Sequence, residues 1–191
     1  WWSCNAFIPV VSATLGQAAA AASGLDKAAT SALVESWKTI ATTSFNLGGL
    51  IGTLLTIPVA KRLGRRPMFA IYFGVSALAL MATFGLDLPE ETRLYAYFFI
   101  GLSVFGVFGS FTYYLPELYP TRLRATGAGF CYNIGRIVAA AGPYVVGSVA
   151  AAGAGSPAVI LNALFAVAFV PLAGLLFIPL VVETRGQTLP D

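Results

Sequence analysis

One arginine lies deep inside an apolar stretch of this sequence. Arg136 follows Ala125 by eleven residues, and it carries the only charge between positions 125 and 150. In a helix that rises about 1.5 Å per residue, Arg136 lies about 16 Å from the start, near the midplane of a bilayer. A charge there costs at least about 2.5–3.5 kcal/mol, so it usually faces a cavity or a partner. We expect Arg136 to bind an anionic group, such as a carboxylate, in a bidentate contact. A buried structural ion pair is the alternative.

Four more polar side chains occupy apolar runs and can contact a small solute. Tyr132 and Asn133 precede Arg136 by four and three residues, which places all three on one face of a helix. Asn46 and Tyr113 lie in two other apolar runs. Small-residue packing between helices is the alternative for Gly106 and Ser110, which share a face with Tyr113. The predicted solute site therefore consists of Arg136, Asn133, Asn46, Tyr113 and Tyr132.

Two of these apolar runs share a short internal repeat. Residues 45–48 read Phe-Asn-Leu-Gly, and residues 132–135 read Tyr-Asn-Ile-Gly. Inverted repeats of three helices produce such matches in transporters. A chance match of four residues is the alternative.

Charge-free runs of membrane length must hold these residues. Six runs cover residues 1–23, 39–60, 67–86, 94–116, 125–150 and 157–182. Each is close to the roughly 20 residues that a helix needs to cross a bilayer. Residues 153–157, Gly-Ala-Gly-Ser-Pro, separate the last two runs. Charged residues make up 10% of the chain, against about 25% in soluble domains. We therefore predict an all-α integral membrane fold of six transmembrane helices.

The composition argues against several functions. The sequence contains no His, which rules out a Ser-His unit and a His-ligated metal within it. We therefore expect no enzyme activity, no catalytic residue, no metal and no cofactor. The basic residues are few and lie beside the apolar runs, so nucleic-acid binding has no support. A channel or a structural membrane protein stays possible, although Arg136 argues against a scaffold.

The basic residues also predict the orientation of the chain. The links after the second and fourth runs and the tail carry seven of them: Lys61, Arg62, Arg65, Arg66, Arg122, Arg124 and Arg185. The opposite links carry three: Lys27, Lys38 and Arg93. By the positive-inside rule both ends of the chain are cytoplasmic. The basic clusters then serve topology alone or have a gating role as well, and Glu117 can pair with Arg122, Arg124 or the basic link at 61–66.

Three links on the predicted cytoplasmic side carry recognisable motifs. Residues 61–66 read Lys-Arg-Leu-Gly-Arg-Arg, residues 116–127 read Pro-Glu-Leu-Tyr-Pro-Thr-Arg-Leu-Arg-Ala-Thr-Gly, and residues 183–186 read Glu-Thr-Arg-Gly. In this order they resemble the cytoplasmic signatures of the major facilitator superfamily. Lys61 replaces the Asp of the first pattern, and Val182 replaces the Pro of the third.

The resemblance implies a fold and a mechanism. The chain resembles helices seven to twelve, the C-terminal half of a twelve-helix transporter, with residues 1–191 as one bundle and the N-terminal half absent. The similar subgroup is the bacterial metabolite:proton symporters and sugar porters. The implied gating residues are Glu117, Arg122, Arg124, Gly64, Arg65, Arg66, Glu183 and Arg185.

The expected function is secondary active transport of a small organic solute, a carboxylate metabolite, by alternating access with proton coupling. A sugar or organic-cation facilitator of the same fold is the alternative. The expected partners are an anionic solute, a proton, the lipid bilayer and the N-terminal half, and the expected location is the bacterial inner membrane. No Asp or Glu lies deep in a run, so we expect the proton carrier in the N-terminal half.

Overall fold

The computed structural model describes residues 2–152 and 156–187, and every regular element within them is a helix. The helices are α1 (Trp2–Ala22), α2 (Lys27–Leu63), α3 (Arg65–Gly85), α4 (Glu90–Glu117), α5 (Arg124–Ala139), α6 (Ala141–Ala152), α7 (Pro157–Val167) and α8 (Phe169–Leu176), with 3₁₀ turns at Thr121–Leu123 and Ile178–Leu180. Five helical stretches of the described chain are long and apolar enough to cross a membrane: α1, α2, α3, α4 and α7 with α8. The predicted all-α membrane fold is thereby confirmed.

The predicted fifth span, 125–150, is divided into α5 and α6, so the count of six membrane-length helices is not reached. The division falls at Ala140, and α8 is divided from α7 at Ala168. Each division lies three residues before a proline, Pro143 and Pro171. A proline has no N–H for the carbonyl four residues earlier, and its ring crowds that carbonyl. Of the predicted break between the last two runs, residues 153–155 lie outside the described residues.

Helix α2 is much longer than the apolar run inside it. It begins at Lys27, twelve residues before that run, and contains 37 residues. At about 1.5 Å per residue its length is about 55 Å, against a hydrocarbon core of about 30 Å. The charges at Glu35 and Lys38 therefore lie within the helix and do not mark its start, which is at Lys27. Asp26 caps this N-terminus by accepting a hydrogen bond from the Ala29 N–H at 2.7 Å.

Helices α2 and α4 pack backbone against backbone. A Cβ added at Gly48 would collide with the Phe98 carbonyl, and one added at Gly52 would collide with the Leu102 carbonyl. Small residues at a helix interface permit this approach in membranes, where packing and not the hydrophobic effect drives association. The two helices therefore form a tightly locked pair.

A buried arginine joins α4 to the end of α3. Arg93 is only 5% exposed. Its Nε donates to the Thr83 carbonyl at 3.0 Å, and its Nη2 donates to the Leu86 carbonyl at 3.3 Å. The last carbonyls of a helix have no partner within the helix and carry partial negative charge, so a cation stabilises them.

One helix of the bundle contributes no buried residue. Every residue of α5 is at least partly exposed, and the exposed side chains include Phe130, Ile137 and Val138. Leu50 and Leu54 of α2 are also exposed. Helices α2 and α5, which carry Asn46, Tyr132, Asn133 and Arg136, therefore present exposed apolar side chains.

Candidate functional site

Two helix ends are joined by an ion pair. Arg65 opens α3, and Glu117 closes α4. Nε and Nη2 of Arg65 donate to the two carboxylate oxygens of Glu117, with a distance of 3.1 Å from Nε to Oε2. The side chains are 13% and 17% exposed. A bidentate, partly buried pair of this kind is among the stronger side-chain contacts. Glu117 was expected to pair with Arg122, Arg124 or the earlier basic link, and its partner belongs to that earlier link.

A second carboxylate holds the start of α3 from a distant part of the chain. Glu183 accepts hydrogen bonds from the backbone N–H groups of Arg65 at 2.8 Å and Arg66 at 3.0 Å. Gly64 precedes them with φ 102°, a conformation that favours glycine, and a Cβ there would meet the Glu183 carboxylate. Glu183 therefore supplies the cap that α3 otherwise lacks, and its charge complements the positive helix N-terminus.

The electrostatics of Glu183 follow from this geometry. Partial burial would raise the pKa of its carboxyl, but backbone donors at Arg65, Arg66 and Arg185 lower it, and their combined effect is a lowered pKa. The carboxylate is therefore held in its ionised form.

The residue after Glu183 in the chain, the buried Thr184, contacts the other carboxylate. The Thr184 hydroxyl donates to Oε2 of Glu117, the oxygen that also accepts from Arg65. Arg65, Glu117, Glu183 and Thr184 are called the charge cluster below. It joins the start of α3, the end of α4 and the segment after α8.

Of the other predicted gating residues, Arg66 and Arg185 contact the charge cluster or its flanking backbone, and Arg122 and Arg124 lie in the link between α4 and α5. Arg66 donates through Nε to the Val181 carbonyl at 2.6 Å. Arg185 contributes its backbone N–H to Glu183 at 3.0 Å. Arg122 is exposed in the 3₁₀ turn, and Arg124 is half-buried at the start of α5.

Arg136 and Asn133 line one open pocket of about 570 Å³ with Ile137, Ala140 and Pro143, which we call the Arg136 pocket. The guanidinium carbon lies 5.7 Å from the centroid of the Tyr132 ring. Tyr132 in turn packs on Phe108 of α4, with 5.9 Å between ring centroids. The aromatic pair supports the arginine head from one side by a cation–π contact. Ala140, where α5 and α6 are divided, lines the same pocket, so the helix is interrupted there.

The remaining two predicted solute residues lie elsewhere. Tyr113 contacts Thr56, with 3.1 Å between the two oxygens, and its ring lies 5.8 Å from the Arg65 guanidinium carbon. It therefore lies beside the charge cluster. Asn46 is exposed on α2 and does not line the Arg136 pocket.

Sequence reasoning did not select Thr184 or Arg93. Thr184 stands in the tail motif, but a threonine hydroxyl has no distinctive pattern. Arg93 was counted only for topology. Its spacing to Tyr97 and Ile100 puts all three on one buried face of α4, which is a usable signal of burial.

Comparison with known proteins assigns the chain to a family. The family model described as "Sugar (and other) transporter" matches residues 53–191. The chain belongs to this family, within the major facilitator superfamily, and the resemblance of the three links is confirmed. It is an integral membrane protein of a family that acts on small organic solutes.

Three bacterial relatives illustrate the similarity. A putative metabolite transport protein of Haemophilus influenzae is 34% identical over 142 residues, 74% of this chain and 34% of that protein. A probable 4-methylmuconolactone transporter of Cupriavidus pinatubonensis is 36% identical over 143 residues, 73% of this chain and 32% of that protein. A gallate transporter of Pseudomonas putida is 26% identical over 113 residues, 59% of this chain and 25% of that protein. The chain spans about a third of the length of the first two.

Proposed function

We propose that the chain is the C-terminal bundle of a secondary active transporter that moves a small organic carboxylate with protons by alternating access. The observation that carries the proposal is the Arg136 pocket. A guanidinium on the open face of a membrane helix, beside a break in that helix, matches the way transporters build midplane sites. The relatives named for gallate and 4-methylmuconolactone support a small oxygen-rich solute.

A preceding bundle of similar size completes the transporter in this proposal. The relatives are about three times as long as the matched region, and the apolar faces of α2 and α5 are open in the described structure. Such a bundle covers those faces and closes the Arg136 pocket. The proposed location is the bacterial inner membrane, with the charge cluster and both ends of the chain on the cytoplasmic side, as the seven basic residues there indicate.

The charge cluster is proposed as the cytoplasmic gate. Arg65, Glu117, Glu183 and Thr184 join helix ends within this one bundle, and in this proposal those ends shift against one another when the two bundles rock. Charge-assisted hydrogen bonds stabilise the conformation in which all of them are formed relative to the conformation in which they are broken.

The test is uptake by the complete transporter in proteoliposomes, with and without an imposed proton gradient. Small carboxylates, neutral sugars and organic cations are compared. We expect gradient-dependent uptake of a carboxylate that Arg136→Ala abolishes and Lys27→Gln preserves, since Lys27 is an exposed cation at the far end of α2. Uptake of a sugar or a cation, or an unaffected Arg136→Ala variant, contradicts the carboxylate site.

A further inference from the structure

Four consecutive residues after the last 3₁₀ turn, 181–184, each contact a different group on α3 or α4. Three of these contacts belong to the charge cluster or flank it: Arg66 donates to the Val181 carbonyl, Glu183 accepts from the first N–H groups of α3, and the Thr184 hydroxyl donates to Glu117. The fourth contact, between Val182 and Tyr114, lies outside the charge cluster. Residues 181–184 are called the tail segment below.

A single hydroxyl binds both backbone groups of Val182. The Tyr114 hydroxyl donates to the Val182 carbonyl and accepts from the Val182 N–H, each at 3.1 Å. Both groups of one residue can reach the same partner when they point to one side of the chain, as they do in a strand, and a hydroxyl can donate and accept at once. The Tyr114 ring is 7% exposed and packs edge-on against Phe69 of α3, with 5.2 Å between ring centroids. The hydroxyl is therefore held in place by two helices.

Half of this contact depends on the residue type at position 182. The third family pattern has proline there, and proline has no N–H to donate. Val182 therefore makes a hydrogen bond to Tyr114 that a chain with proline at this position cannot make. Val181 has φ −63° and ψ 127°, which lies in the extended region that residues before proline adopt. Val182→Pro thus removes the donor without forcing Val181 into a new conformation.

From these contacts we infer that Tyr114 is a positioning residue of the proposed cytoplasmic gate, and that its two hydrogen bonds to Val182 fasten the tail segment. The inference rests on the proposed function of the charge cluster and adds the contact that regulates it. With Val182 fixed, the next two side chains, Glu183 and Thr184, reach their partners on α3 and α4 with little further loss of conformational freedom. When Tyr114 releases Val182, the tail segment is freer to leave the charge cluster, and the closed conformation of the gate loses stability.

The experiment measures hydrogen exchange of the Arg65 and Arg66 amides in the complete purified transporter. These N–H groups lie at the start of α3 and are bound by Glu183, so their protection reports whether the tail segment is in place. We expect exchange there to be about tenfold faster in Tyr114→Phe, which loses both hydrogen bonds to Val182. In Val182→Pro, which loses one of them, we expect it to be about threefold faster.

Two comparisons separate this contact from a general loss of stability. Added to Tyr114→Phe, the substitution Val182→Pro should have no further effect, because the hydroxyl that accepts from the N–H is already absent. Tyr95→Phe, at an exposed tyrosine of the same helix, should leave exchange at the start of α3 unchanged. Gradient-driven uptake should change by at least about twofold in Tyr114→Phe, because the contact belongs to one conformation of the transport cycle.

Three outcomes count against the inference or against its premise. Unchanged exchange of the two amides in Tyr114→Phe overturns the positioning role. An equal effect of Val182→Pro with and without the Tyr114 hydroxyl overturns the part assigned to the Val182 N–H, since the substitution then acts independently of Tyr114. If exchange rises as expected but uptake is unaltered, Tyr114 positions the tail segment, and the proposed function of the charge cluster as a gate fails.

Discussion

The hydroxyl of Thr184 and the guanidinium of Arg65 bind the same carboxylate oxygen of Glu117. Thr184 lies 67 positions after Glu117 in the chain, and Arg65 lies 52 positions before it. One carboxylate therefore holds together three elements that are far apart in the sequence. Four predictions follow from this contact and from others in the bundle.

The first prediction concerns the ion pair of the charge cluster. Arg65→Met and Glu117→Leu each leave a partly buried charge without its partner, and we expect each to lower the free energy of unfolding by about 2 kcal/mol. The double variant should lose less free energy of unfolding than the two single variants lose together. Thermal unfolding of the four proteins in detergent measures the coupling. The exposed pair Lys38–Glu35 is the control, with an expected coupling below about 1 kcal/mol. Strict additivity at Arg65 and Glu117 would contradict the prediction.

The second prediction concerns pH. The pKa of Glu183 is lowered in the folded protein, so its ionised form contributes stability above the ordinary glutamate pKa, about 4.3. That contribution is lost as pH falls through the lowered, native pKa. We expect the wild-type protein to exceed Glu183→Gln in melting temperature by a constant amount near neutral pH. The difference should shrink in acid, and a difference that grows in acid would show that the sign is wrong.

The third prediction concerns the locked pair of α2 and α4. Gly52→Ala places a methyl group against the Leu102 carbonyl, and we expect a loss of about 1–3 kcal/mol in stability. Gly74→Ala is the matched control in α3, because open space surrounds that position. It should be neutral or stabilise the protein by up to about 1 kcal/mol, since alanine favours a helix. Melting temperatures that fall equally in both variants would refute the backbone contact.

The fourth prediction concerns the arginine that caps α3. Arg93→Met keeps much of the side-chain volume but leaves the carbonyls of Thr83 and Leu86 without their donor. We expect a loss of about 1–3 kcal/mol. Arg93→Lys keeps the charge at the helix end but cannot make both hydrogen bonds. Its stability should therefore lie between that of the wild type and that of Arg93→Met. Hydrogen exchange at the end of α3 should rise in Arg93→Met, and unchanged exchange there would argue against capping.

The helical membrane fold was predictable because charge is expelled from lipid, so charge-free runs mark the spans. The start of α2 does not follow from the charge-free run at 39–60, because the helix begins at Lys27, after its cap Asp26, and contains Glu35 and Lys38. Pro143, which lacks an N–H, is the visible signal for the division of the fifth span, although a count of apolar residues treats 125–150 as one run. Breaks and caps depend on single backbone groups, which hydropathy does not describe.

The candidate site was predictable in part, for a related reason. Arg136 and Asn133 lie on one face of one helix, so their spacing in the sequence is enough to predict that they are close together. Tyr113 and Glu117 lie on α4, and their partners Thr56, Arg65 and Thr184 come from three other segments. Such contacts depend on the tertiary arrangement, which periodicity along a single helix cannot supply.

The length of α2 has a mechanical consequence. Its 37 residues end at Leu63, two positions before Arg65 of the charge cluster. A tilt of about 10° about that end moves the far tip, about 55 Å away, by about 10 Å. A small change of angle at the charge cluster would thus be amplified into a displacement of solute size at the opposite end of the helix.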